Sequence, residues 1–320
     1  MAALEKPDVR LESAAQELAG ATANPPFRYE LGPEAARKVL DGLQSGGVAK
    51  PAVDEERLTV SAAVGDVRVR IVKPDGADGT LPVILYVDGG GWILGNAGTH
   101  DRLVRELATG VGAAVVFVEY TPSPEARYPV AIEPAYANPQ RMGREGAGKG
   151  IEEAYRAVAG DSVGGNMTAA PALMAKERGV VTFVQHSTYY PVTDAGMDTG
   201  SYRRFEHGPC PAAKAMAWFW DAYLPEPAQR RQITAAPLQA SLDRPAGPPP
   251  AFLLVDEYDD VLRDEGQAYA AKLRDAGMAV TTARYDGILN DFMMLDPVRD
   301  THAAKAAAAQ AIAVLREALH

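Results

Sequence analysis

The sequence predicts an α/β fold: a mostly parallel central sheet flanked by helices, with a helical cap. Three observations carry that prediction. Short continuous apolar runs at 81–87 and 113–120 are separated by a helix pattern at 99–108, as strands covered on both faces and joined by a crossover helix would be. The first run empties into Gly89-Gly90-Gly91. Another apolar run, near 155–161, ends in Gly160-Asp161-Ser162-Val163-Gly164, a G-x-S-x-G turn with helix formers downstream of Asn166.

Taken in order, residues 8–45 hold two helical pieces (9–18 and 33–43) split by Asn24-Pro25-Pro26. Alternation from Arg57 to Lys73, with Val67, Val69 and Ile71 on one face, predicts antiparallel edge strands closed by a turn at 74–79. The buried strand at 81–87, the helix at 99–108 and the strand at 113–120 follow as a β-α-β unit. A helix pattern from Val130 is interrupted by Pro134, and the elbow helix carries Pro171; an interior proline costs about 3 kcal/mol unless a kink absorbs it. Residues 180–190 read as a strand, and an excursion then carries Trp218, Phe219, Trp220 and Tyr223, a stripe that fits either helix packing or the wall of an acyl pocket. Strands at 251–255 and 279–285, a helix at 261–275 and an Ala-rich helix at 301–319 complete the pattern. The resulting division is an N-terminal helical cap segment (1–48), a first part of the core (49–194), a cap insertion (195–235) and a second part of the core (236–320).

Composition narrows the function. A chain of 320 residues that is 47% hydrophobic can bury a large core, and a net charge of −10 gives no basic face for a nucleic-acid partner. Cys210 is the one cysteine, so no intrachain disulfide can form, and no metal-ligand spacing is present. The N-terminus lacks a basic stretch followed by an apolar one, and no run approaches the length of a membrane span. The expectation is a cytoplasmic protein with no cofactor, no metal, no nucleic acid and no membrane span; homodimer formation is left open.

The chemistry gathers at the elbow. Small neighbours let a strand turn sharply into a helix and present Ser162 at the positive end of that helix. Ester hydrolysis passes through a tetrahedral oxyanion, for which the N–H groups of the glycine triplet are suitable donors.

Five stretches together, D-G-G-G-W (88–92), G-D-S-V-G-G-N (160–166), Y-Y-P-V-T-D (189–194), D-V-L-R-D-E-G (260–266) and N-D-F-M-M-L (290–295), resemble the hormone-sensitive-lipase branch of the α/β-hydrolases, microbial carboxylesterases in particular. The resemblance implies the α/β-hydrolase fold, a cap over the sheet, and a catalytic triad in the chain order Ser, Asp, His. It places the nucleophile at Ser162, the acid at Asp260 (with Asp256 and Asp259 as neighbouring registers), the base at position 290, and the oxyanion donors at Gly90, Gly91 and Val163. Asp88, Trp92, His207 and Trp218 are candidate pocket residues.

Two positions depart from the family. The base position holds Asn290, which cannot take a proton from serine, and loss of a triad member can cost roughly 10⁴ to 10⁶ in kcat. The first residue of the family's H-G-G-G is Asp88, a carboxylate expected close to where negative charge develops. Of the histidines, His207 lies in the cap, His100 reads as helping to start a helix, His186 lies in a strand, and His302 and His320 belong to the terminal helix. An impaired serine carboxylesterase is the leading reading; a catalytically dead ligand-binding protein, or a lyase or cyclase, is the alternative.

Overall fold

A computed structural model describes residues 10–62, 65–133, 147–169, 183–207, 211–241, 251–256 and 260–320. Its centre is an eight-stranded sheet of order β1-β2-β4-β3-β5-β6-β7-β8. The strands are β1 (Val53–Ala62), β2 (Gly65–Pro74), β3 (Leu81–Val87), β4 (Ala114–Glu119), β5 (Ile151–Asp161), β6 (Gln185–Tyr189), β7 (Ala251–Asp256) and β8 (Val280–Tyr285). The alternating, half-polar β1 and β2 form the antiparallel edge hairpin, β2 pairs antiparallel with β4, and every later pairing is parallel. Continuous apolar runs mark the strands buried on both faces: β3 and β4 are sealed almost from end to end.

Helices α1 (Ser13–Thr22) and α2 (Pro33–Leu43) precede the sheet, and α3 (Asp101–Val111) crosses from β3 to β4. Beyond β6 come α4 (Gly200–Arg204), α5 (Ala213–Tyr223), α6 (Arg263–Asp275) and α7 (His302–Leu319). Small residues of α7 (Ala303, Ala304, Ala307 and Ala311) are buried, so this helix packs closely on α3 and on β5 to β7. Thr301 caps its N-terminus through Ala304 N–H, and the Glu12 carboxylate accepts the N–H groups of His302 and Ala303 at 2.8 and 2.9 Å, tying the start of the chain to its end. Opposite charges draw β2 to α3: buried Arg70 reaches Asp101 and Glu55, both at 2.5 Å.

The sequence pattern places most elements within a few residues. The strand expected from about 155 begins at Ile151, because the polar stretch Ile151-Glu152-Glu153 joins the sheet opposite Leu81 through register shifts between Leu81 and Ile84. The strand expected over 180–190 is confined to Gln185–Tyr189 among the described residues. Pro134 and Pro171 lie outside the described residues; the helix expected after Ser162 is described over 163–169, and of the helix expected from Val130 only 130–133 are described.

Candidate active site

Strand β5 and the helix that begins at 163 meet at Ser162, whose φ of 52° lies in the left-handed region that a side chain rarely occupies. Glycine is required on both sides by close approach rather than by φ. A Cβ at Gly160 would fall 2.7 Å from the Gly164 carbonyl, and one at Gly164 would fall 2.1 Å from the Val87 carbonyl oxygen of β3. The turn is pinned by Ser162 N–H to the Tyr189 carbonyl at 2.8 Å and by Val192 N–H to the Ser162 carbonyl at 3.1 Å. Asn166, one turn along the helix, donates to the carbonyls of Val192 and Ala235 at 3.0 and 2.7 Å. These bonds fix the post-β6 segment on the elbow.

Ser162 lines a cavity of about 270 Å³ together with Gly90, Gly91, Asn290 and Asp291. Gly90 and Gly91 both have positive φ, 100° and 65°, as the turn from β3 toward α3 demands. Val163 opens the elbow helix, where the first N–H groups have no intrahelical acceptor. The roof comes from the segment between α1 and α2, represented by Phe27 and Tyr29, and from α5 and the residues before it, represented by His207, Trp218 and Phe219. A Cβ at Gly91 would fall 2.2 Å from the Phe219 ring, so that ring lies directly over the glycine.

The aromatic stripe divides by face. Trp218 and Phe219 line the cavity, whereas Trp220 and Tyr223 are buried in the core. Trp92 belongs with the second group and is not a pocket residue. It is fully buried, stacked on Tyr223 with ring centroids 4.1 Å apart and packed on Trp220 at 4.7 Å, and so anchors the glycine loop to α5.

Asp88 is also not on the cavity wall. It is buried behind the glycine loop, so close to Gly95 that a Cβ there would lie 2.2 Å from Asp88 Oδ2, and neither carboxylate oxygen has a hydrogen-bond partner among the described residues. Burial first, and then the charge of Asp161, push its pKa up to about 7, against the opposing pull of His100. His100 does precede α3, but its side chain does not cap the helix. Its Nε2 lies 3.1 Å from Asp161 Oδ2 and its Nδ1 2.9 Å from Thr99 Oγ1. Burial opposes the imidazolium, yet the charge and hydrogen bond of Asp161, reinforced by Asp88, raise its pKa to about 9. Asp161 also accepts the Tyr86 hydroxyl at 2.6 Å and Gly89 N–H at 3.2 Å. The residue before the nucleophile thereby holds the glycine loop, β3 and the start of α3 together. Nothing in the sequence spacing announces this cluster, since His100 and Asp161 are 61 positions apart.

Asp260 follows β7, fully buried, with Oδ1 accepting Leu262 N–H at 2.8 Å; it is not among the residues lining the cavity. Asp256 ends β7, and Asp259 lies outside the described residues. Asn290 lines the cavity with its Nδ2 sealed from solvent and without a hydrogen-bond partner among the described residues. Glu265, missed in the sequence, is buried with Oε1 accepting the N–H groups of Thr193 and Asp194 at 2.7 and 3.2 Å; burial drives its pKa well above the carboxylate range. His186 is buried beside Thr168, its pKa lowered to about 4 by desolvation, and His207 is exposed at the cavity rim. Among the described residues, no group of three His, Cys, Asp or Glu side chains could hold a metal ion, and no helix is long and apolar enough to cross a membrane.

A glycine-lined loop, a left-handed serine elbow and a capped parallel sheet define a hydrolase architecture. Residues 84–294 match the family described as alpha/beta hydrolase fold, and the chain belongs to that family. A thermostable esterase from Pseudomonas putida ECU1011, known in crystal structure, is 41% identical with a TM-score of 0.93, covering 99% of both chains. Carboxylesterase NlhH of Mycobacterium tuberculosis is 33% identical over 92% of each chain, and ethyl acetate hydrolase of Pseudomonas putida is 34% identical over 72% of each.

Proposed function

We propose that this protein is a serine carboxylesterase that hydrolyses short- to medium-chain acyl esters through an acyl-enzyme, at a rate limited by the asparagine in the base position. The observation that carries the reading is the left-handed Ser162 on a cavity wall shared with Gly90, Gly91 and Asn290. The esterase relatives support the reaction class, and a cavity of about 270 Å³ suits the short end of the acyl range. In this reading Ser162 Oγ attacks the ester carbonyl, and the N–H groups of Gly90, Gly91 and Val163 hold the oxyanion. Asp260 is the acid that would orient a histidine at 290. Segments 1–48 and 195–235 form the cap that roofs the substrate. A cytoplasmic setting fits the single cysteine, Cys210.

The amide at 290 favours one other reading, a ligand-binding protein that keeps the pocket without turnover. Hydrolysis of p-nitrophenyl acetate separates the two. The native chain is expected to show weak activity that Ser162→Ala removes, and Asn290→His to raise kcat about 10²-fold or more. No gain from Asn290→His would count against 290 as the base position; tight binding of an apolar ligand without its consumption would favour the binding protein.

A further inference from the structure

The cavity wall carries a carboxylate that the proposed triad does not use. Asp291 lines the same cavity as Ser162, next to the asparagine that cannot accept a proton. Its backbone is held at φ 63°, in the left-handed region, by Met294 and Leu295 N–H groups that both reach its carbonyl at 3.0 Å. The following residue, Phe292, is clamped between Tyr190 and Tyr285 at centroid distances of 5.3 and 6.0 Å, which fixes the direction of the loop. Asp291 Oδ1 is sealed from solvent and has no hydrogen-bond partner among the described residues. Among the described residues, the charged side chains that act on it most strongly are Asp161 at the end of β5, Arg28 before α2, His100 before α3 and Asp260 after β7. Burial, then repulsion by Asp161, outweigh the attraction of Arg28 and His100 and bring its pKa to about 7. A carboxylate with that basicity matches an imidazole as a proton acceptor near neutral pH.

The histidines offer little competition. His100 and His186 are engaged in the interior, and His302 and His320 belong to the terminal helix; His207 alone lines the cavity, from the exposed rim.

Resting on the serine-esterase reading, we propose that Asp291 is the general base of the native chain, receiving the Ser162 proton through one cavity water at Oδ2, the carboxylate oxygen that is not sealed from solvent. As Ser162 Oγ forms its bond to the acyl carbon, the hydroxyl proton passes to that water and a water proton to the Asp291 carboxylate. Collapse of the tetrahedral intermediate breaks the bond to the alcohol oxygen, and the proton returns to that alkoxide. In deacylation a second water attacks the acyl carbon and gives its proton to Asp291; as the bond from the acyl carbon to Ser162 Oγ breaks, Asp291 returns that proton to Oγ, releasing the carboxylic acid and regenerating the serine hydroxyl and the carboxylate.

The test is kcat/KM for p-nitrophenyl acetate between pH 5 and 9 in the native chain, Asp291→Asn, Asp291→Glu, His207→Ala, Asn290→His and the Asn290→His/Asp291→Asn double variant, with Ser162→Ala as the zero. The native activity is expected to rise with pH through about 7, where Asp291 ionises. Asp291→Asn is expected to lower it about 10²-fold and flatten that limb, Asp291→Glu to restore part of it, and His207→Ala to keep the rise through pH 7 whatever its effect on the level of activity. In the Asn290→His background, adding Asp291→Asn should change the rate less than about 3-fold, because histidine has taken over the proton. Thermal melts check that Asp291→Asn is folded. Equal losses in both backgrounds, an unchanged pH profile in Asp291→Asn, or loss of the rise through pH 7 in His207→Ala instead would overturn the assignment. So would native activity no higher than Ser162→Ala while Asn290→His is active, an outcome that leaves the esterase reading standing. Inactivity of every variant, Asn290→His included, would bring down both.

Discussion

At the scale of single residues, the site is governed by carboxyl groups in unequal environments. Asp161 is satisfied three times over, by Tyr86, Gly89 and His100, whereas Asp88 one loop away has no hydrogen-bond partner on either oxygen among the described residues. The consequence is a pH-dependent stability whose sign follows from the direction of the shift. Asp88 has a folded-state pKa of about 7, above its ordinary 3.8, so its proton-linked contribution is fully present below about pH 4 and is lost as pH rises through 7. Asp88→Asn is therefore expected to stabilise the protein at pH 8, by up to about 4 kcal/mol at 1.36 kcal/mol per pKa unit, and much less at pH 4.5. Urea denaturation at the two pH values checks this, and a greater loss of stability at pH 8 than at pH 4.5 would contradict it. Sequence spacing exposes Ser162 and the glycine triplet, because a strained turn restricts its neighbours to small residues. It cannot expose the His100–Asp161 pair, because a histidine ahead of a helix looks the same whether it caps the helix or reaches 61 positions away. Asp88 and Trp92 mislead for a related reason: adjacency to the glycine loop in sequence says nothing about which side of the loop a side chain leaves from.

At the scale of elements, α5 does two jobs with neighbouring residues. Trp220 and Tyr223 face Trp92 and hold the helix on the glycine loop, while Trp218 and Phe219 face the cavity. A helical stripe can be recognised in sequence, but which of its residues pack on the core and which line the cavity depends on how the helix is turned on the sheet. Because the Phe219 ring lies over Gly91, it bounds the space beside the glycine loop. Phe219→Ala, made in the Asn290→His background, is expected to shift the preferred p-nitrophenyl ester from acetate toward butyrate or hexanoate, with kcat/KM for hexanoate rising about 10-fold or more. That gain corresponds to roughly two further methylenes finding an apolar site. An unchanged chain-length profile would remove Phe219 from the acyl wall. Strand ends were the less legible part of the elements: β5 starts at Ile151 because pairing with Leu81 overrides a polar local sequence, a tertiary effect that periodicity cannot register.

At the scale of the whole molecule, the sheet order and the parallel run from β4 to β8 follow from burial on both faces, and they bring residues 90, 162 and 290 to one cavity from three separate stretches of chain. The account rests on Ser162 being a nucleophile at that meeting point, supported by a weak base in the native chain and a stronger one in Asn290→His. Covalent labelling with a fluorophosphonate, followed by intact mass and peptide mapping, tests it most directly. A single adduct on Ser162, forming slowly in the native chain and faster in Asn290→His, is the predicted result. No adduct in either protein, or one on a different residue, would contradict it.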